Sequence, residues 1–265
     1  MRSTGVSVGD GVLEVLDFGA GDPALFIQTG LTADELLPLA AHPALDGCRR
    51  LVLHRRGYAG SSPAVVPTSI AGDVSDCVRL LDALGIERVQ VVGYSYSGAV
   101  GLQLAADHPS RVTGLALVEP PPTVTTFRDE FAATVESLLA VRRASGVPAA
   151  LNAFWDLLGT ASWWAALEEH VPDARAQMRA DAATFFDGDL PALLAWQIGD
   201  LVSGVECPIL YVGGDASGPW WEAVRKQVLD WFPEADDVLL GGADHGLAVT
   251  HAADIAVALQ RFWNR

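Results

Sequence analysis

Apolar residues in the first half of the chain come in short runs separated by glycine-rich turns, and two periods alternate between the turns. Val12 to Phe18 alternates apolar and polar positions and stops at Gly19-Ala20-Gly21-Asp22, as a strand entering a turn does. Ala24 to Gln28 and Arg50 to His54 are further short apolar runs, the second ending in the loop Arg55-Arg56-Gly57-Tyr58-Ala59-Gly60. The period then lengthens. From Ser69 to Leu84, Ile70, Val74, Cys77, Val78, Leu81 and Leu84 recur at steps of three and four, which predicts a helix, and Gly85 supplies its stop. Val89 to Val92 reads as a strand, Ser97 to Asp107 as a helix and Val112 to Val118 as another strand. Strands that are apolar almost throughout, separated by helices, predict a mostly parallel sheet covered on both faces.

After Glu119-Pro120-Pro121-Pro122 the rhythm breaks. Residues 123–205 hold helical runs but no strand, with four of the eight tryptophans (Trp155, Trp163, Trp164 and Trp196) among them. Strand and helix then return: Pro208 to Val212, Trp220 to Phe232, Asp236 to Leu240 and Asp254 to Trp263. The pattern predicts one α/β core made of 1–122 and 206–265, with 123–205 inserted as a helical cap.

Composition narrows the partners. Half of the 265 residues are hydrophobic, enough for one sizeable core. A net charge of −16 sets the chain against nucleic acids and anionic membrane surfaces, whose phosphates it would repel. No early stretch has the form of an export signal and no run is long and apolar enough to span a bilayer, so the expected location is cytoplasmic. Cys48, Cys77 and Cys207 are far apart and lack metal-ligand spacing, so free thiols are expected and no metal site. Oligomeric state is not legible.

The densest chemical signal lies where Val89-Gln90-Val91-Val92 runs through Gly93-Tyr94-Ser95-Tyr96-Ser97-Gly98 into a helix. A serine on a sharp strand-to-helix turn holds its hydroxyl clear of the sheet, and small residues two positions either side let strand and helix pass closely. Gly93 meets that need, while the second position is Ser97. A serine there could instead cap the helix.

With this elbow the chain resembles the α/β-hydrolase family, and the resemblance extends along the core. Leu25-Phe26-Ile27-Gln28-Thr29-Gly30 resembles the strand leading into the family's His-Gly oxyanion loop, with Thr29 in the histidine's place. Arg56-Gly57-Tyr58-Ala59-Gly60-Ser61 is similar to its Arg-Gly-x-Gly-x-Ser loop, and Gly241-Gly242-Ala243-Asp244-His245-Gly246 to its Gly-x-Gly-His loop. The resemblance implies a serine nucleophile at Ser95 and a general base at His245, which alone of six histidines follows the last predicted strand in a glycine-rich loop; His251 lies near the start of the final helix. For the acid the expected residue is Glu119, with Asp215 as the alternative. Glu119 directly follows the strand ending Leu117-Val118, as in some branches of the family, and Asp215 stands in Gly213-Gly214-Asp215-Ala216-Ser217, one place before the commonest acid position. The resemblance further implies an oxyanion hole from the backbone N–H groups of Leu31 and Tyr96, and no cofactor. Aromatic residues of 123–205 would line an apolar cleft above Ser95. The expected activity is serine hydrolysis of a small to medium, rather apolar ester or related acyl compound. Non-hydrolytic chemistry on the same residues and plain small-molecule binding are the alternatives.

Overall fold

The structure, a computed structural model, describes residues 2–265. Its centre is an eight-stranded sheet: β1 (Arg2–Ser7), β2 (Val12–Phe18), β3 (Asp22–Ile27), β4 (Cys48–Leu53), β5 (Val89–Tyr94), β6 (Val112–Val118), β7 (Ile209–Gly214) and β8 (Asp236–Leu240), in the order β1-β2-β4-β3-β5-β6-β7-β8. Strand β2 runs antiparallel to both its neighbours, and every pair from β4 to β8 is parallel.

Successive residues of each central strand feed different cores. Leu25 and Ile27 of β3 join one apolar cluster with Leu51, Val91 and Leu115, while Ala24 and Phe26 join another with Val52, Val92 and Ala116. This two-sided burial is why the strands read as continuous apolar runs. The first cluster is closed by α2 (Ile70–Ala83), α3 (Tyr96–Asp107) and α8 (Pro219–Trp231). The second is closed by α1 (Leu37–Ala40), α9 (Leu247–Thr250) and α10 (Ala252–Trp263). Ser69 begins α2 by accepting a hydrogen bond from the Gly72 N–H at 3.0 Å.

Between β6 and β7 the chain forms α4 (Arg128–Leu158), α5 (Ala161–His170), α6 (Ala174–Thr184) and α7 (Leu190–Ala195), with no strand. Gly146, at φ 80°, and Pro148 kink α4. One π-helical turn, Phe185–Asp189, joins α6 to α7. These helices bury a third apolar cluster, including Leu138, Leu151, Met178 and Phe186, into which the core contributes Leu31 and Val249.

Strand β1 has no counterpart in the sequence expectations. Arg-Ser-Thr-Gly-Val-Ser carries one large apolar residue, and its positions lie at the edge, half-buried or exposed, so pairing with β2 rather than burial defines it. Strands β3 and β4 begin two residues earlier than expected, because the ladder continues into Asp22, Cys48 and Arg49, where no apolar pattern remains. Helix α10 likewise begins at Ala252 rather than Asp254.

Candidate active site

The carboxyl ends of β3, β5, β6, β7 and β8 open onto one region beneath the helical insertion. At its centre, Ser95 links β5 to α3 with φ 49° and ψ −118°, a conformation that L residues adopt only under constraint. The constraint is visible: a Cβ on Gly93 would lie 2.5 Å from the Ser97 carbonyl oxygen, so strand and helix backbones nearly touch. Ser97, the departure from glycine, is wholly buried. Its hydroxyl donates to the Ile27 carbonyl at 2.7 Å and accepts from the Tyr94 N–H at 2.9 Å. The second close approach is made one residue later, by Gly98 against Pro120. Ser95 makes no side-chain capping bond; its Oγ is instead 3.1 Å from His245 Nε2.

His245 reaches that point from the loop after β8. Its Nδ1 is 2.7 Å from Glu119 Oε2, and Glu119 is fully buried at the end of β6 with φ 39°. The other carboxylate oxygen of Glu119 accepts from the Gly214 N–H at 2.8 Å. A carboxylate facing Nδ1 favours the tautomer with its proton there, leaving the Nε2 lone pair toward Ser95. The imidazole is further fixed by Trp221, stacked at 3.9 Å between ring centroids, and by Tyr94, whose hydroxyl donates to the His245 carbonyl. Asp215 is not brought to the histidine. Its Oδ1 accepts from the Gly242 N–H at 2.6 Å and ties together the loops after β7 and β8. His251 faces Thr250 instead.

The two expected oxyanion donors differ. Tyr96 is the first residue of α3, where a backbone N–H has no partner within the helix. Leu31, at φ 66°, is not open in the same way: its N–H points to the Tyr58 hydroxyl at 3.3 Å. That hydroxyl in turn donates to Asp189 at 2.6 Å. Asp189 comes from the π-helical turn of the insertion and is wholly buried against Arg55, which also pairs with Asp73 at 3.0 Å. The Tyr96 hydroxyl donates to Asp73 at 2.8 Å. Residues bearing both candidate donors therefore hang on one buried cluster of one guanidinium and two carboxylates. Burial pushes Asp73 up to about 6, with Arg55 opposing and Asp189 adding to the rise.

The space around Ser95 and His245 has two lobes. The larger is apolar, walled by Phe131, Val135, Leu138, Phe185, Leu190 and Trp221 among others. The smaller is bordered by Thr29, Thr32, Glu35, Phe154, Leu158 and Trp163. Glu35 accepts from Trp163 Nε1 at 2.6 Å, and burial raises its carboxyl to about 7.

Glu35, Asp189 and Trp221 were not singled out from the sequence. Glu35 stands beside Asp34 in a polar stretch where nothing local tells the buried carboxylate from the one that faces His54. Asp189 is turned inward by a π-helical turn, which shifts the helical register without a sequence mark.

The chain belongs to the α/β-hydrolase family: the family profile, described as the alpha/beta hydrolase fold, matches residues 23–251. It is an enzyme of the α/β-hydrolase type. Among its relatives is a protein of Variovorax paradoxus (strain S110) provisionally named a carbamate hydrolase, 29% identical over 92% of this chain and 88% of that one. Its fold is similar to that of the enol-lactonase from Burkholderia xenovorans LB400, with a TM-score of 0.80 at 20% identity over 99% and 100% of the two chains. It is also similar to that of a thermophilic esterase from Thermogutta terrifontis, with a TM-score of 0.81 at 18% identity over 100% and 98%.

Proposed function

We propose that the protein is a serine hydrolase that cleaves a small to medium, rather apolar ester or related acyl compound through an acyl-enzyme on Ser95. The observation that carries this reading is the unbroken sequence of contacts from Ser95 Oγ to His245 Nε2 and from His245 Nδ1 to Glu119, with the serine held on a strained elbow. Ser95 Oγ attacks the acyl carbon as its proton passes to His245 Nε2. Glu119 keeps the imidazole oriented and stabilises the cation that forms.

The negative oxygen of the tetrahedral intermediate is held by the Tyr96 N–H. The Leu31 N–H joins it by exchanging its long bond to Tyr58 for the oxyanion. His245 then gives its proton to the departing group, and water attacks the acyl-enzyme with the same base. These steps need no metal or organic cofactor.

The helices within 123–205 act as a cap. They supply most of the larger lobe's apolar wall, so the substrate's apolar part is taken from water there. The names of the relatives, a carbamate hydrolase, an enol-lactonase and an esterase, agree in class with attack on an acyl carbon and span several substrates.

An active-site-directed fluorophosphonate, with the adduct located by mass spectrometry, tests the nucleophile. Labelling of Ser95 that is lost in Ser95→Ala and His245→Ala is the expected result. A protein that hydrolyses aryl esters yet is labelled elsewhere would overturn the assignment.

A further inference from the structure

Glu35 is the one carboxylate bordering the space around Ser95 and His245 that the proposed reaction does not use. The loop that carries it leaves the end of β3 through Thr29-Gly30-Leu31 and is anchored one residue earlier. Asp34 accepts from His54 Nε2 at 2.9 Å, and His54 Nδ1 is 3.0 Å from Glu14. Asp34 is thus committed to holding the loop, while Glu35 is 4% exposed and borders the small lobe.

Its partner Trp163 belongs to α5, whose start is fixed to the histidine loop by Thr160 donating to Asp244 at 2.8 Å. Trp163 also packs so closely on Gly246 that a Cβ there would lie 2.8 Å from the indole. Trp163 is therefore held as one wall of the small lobe, against the histidine loop. Among the described residues, the lining of the larger lobe includes no carboxylate, lysine or arginine.

An ionised carboxyl can accept about four hydrogen bonds, and the Trp163 indole and the Thr32 side chain meet two of these. Burial beside Phe154 and Leu158 deprives the others of bulk water, which is a cost with no structural return if Trp163 needed only an acceptor. Resting on the hydrolase reading above, we propose that Glu35 is a substrate-recognition group. It binds a hydrogen-bond donor, a hydroxyl or an amine, carried on the small side of the scissile acyl bond, while the apolar remainder fills the larger lobe. The substrate class is accordingly an amphipathic ester or amide with one short polar arm, not a simple alkyl ester. A buried acceptor discriminates strongly against an isostere that leaves it unpaired.

The probes are two isosteric series with the polar arm on either side of the ester: propyl, hydroxyethyl and aminoethyl esters of phenylbutanoic acid, and phenylbutyl esters of butanoic, hydroxypropanoic and aminopropanoic acids. In one series the wild type should prefer a donor-bearing member over its alkyl isostere by about tenfold or more in kcat/KM. Glu35→Leu should abolish or reverse that preference while the alkyl ester is still cleaved. Glu35→Gln, a better match in shape should the leucine variant fold poorly, should keep part of the preference for hydroxyl and lose that for ammonium. A hydroxyl preference and an ammonium preference tell the two donors apart.

Calorimetric binding of the same esters to Ser95→Ala reads recognition without turnover. If wild type cleaves none of them but Ser95→Ala still binds the donor member about tenfold tighter in a Glu35-dependent way, the nucleophile reading fails and the recognition proposal stands. Cleavage with the same preference in wild type and Glu35→Leu, or equal or undetectable binding of donor and alkyl members, overturns the proposal. A uniform loss on all esters would mark Glu35 as a strut for Trp163 only, and overturns it too.

Discussion

Replacing Asp189 with alanine perturbs the one buried ion cluster that joins the helical insertion to the sheet. Arg55 is 3% exposed and Asp189 is wholly buried, with both carboxylate oxygens on the guanidinium and one also on the Tyr58 hydroxyl. Breaking such a pair by removing one partner costs roughly 3–5 kcal/mol, because the other charge stays buried. Here Asp73 remains on Arg55, so the residual cluster is neutral and the cost should fall near the lower end, about 3 kcal/mol. For a domain of this size that is a fall of about 6–12 °C in Tm. The control lies two residues away in the same helical turn: Asp187, which is exposed, pairs with the half-buried Arg142, and its removal should cost about 1 kcal/mol or less. Thermal and urea unfolding of the two variants, with ester turnover measured well below each Tm, provide the assay. Turnover should drop in Asp189→Ala alone, since Arg55 and Tyr58, which hold the Thr29–Leu31 segment in place, lose their shared carboxylate. Equal Tm shifts in the two variants, or an unchanged kcat in Asp189→Ala, would refute the view that this cluster holds the insertion together with the Leu31 and Tyr96 donors of the proposed reaction.

Two other outcomes follow from the site. Glu119→Gln should lower kcat by about 10³–10⁴-fold through the wrong imidazole tautomer, whereas Asp215→Asn should leave turnover within a few-fold; a collapse of turnover in well-folded Asp215→Asn alone would transfer the acid role to that residue. Glu35 carries a signature in stability against pH. Its carboxyl stands near 4.5 when unfolded and is raised to about 7 in the fold by burial, against the opposing bonds from Trp163 and Thr32. The native state therefore holds this proton more tightly, so its contribution is full below pH 4.5 and is lost as pH rises through about 7. The cumulative loss is at most about 3 kcal/mol. Asp73 and His54 are also raised, so the measurement is the difference between wild type and Glu35→Gln in urea midpoints across this window. A difference that does not change with pH would show that Glu35 is not a buried, neutral carboxyl.

Much of the architecture is a local property of the chain. Continuous apolar runs such as Leu115-Ala116-Leu117-Val118 identify strands covered on both faces, and Gly93 before Ser95 marks a place where strand and helix pass within backbone contact. These signals depend on the side chain or backbone at the position itself, so they survive in the order of residues. The edge strand β1 does not, because it is defined by what it pairs with.

The choice between Glu119 and Asp215 shows where that legibility stops. Both follow apolar strands and both are carboxylates; only the arrangement of β6, β7 and β8 turns Glu119 toward His245 and spends Asp215 on the Gly242 N–H. The same holds for Glu35, Trp163 and Asp189, which meet partners more than a hundred residues away. By itself the sequence determined the α/β layout, the serine elbow and the histidine loop, since each rests on periodicity or on a glycine where no other residue fits. The tertiary structure decided which acid faces the histidine, how the insertion is tied to the segments of Leu31 and Tyr96, and where a buried carboxyl borders the space around Ser95. Those depend on side chains converging from distant segments, and no local pattern records convergence.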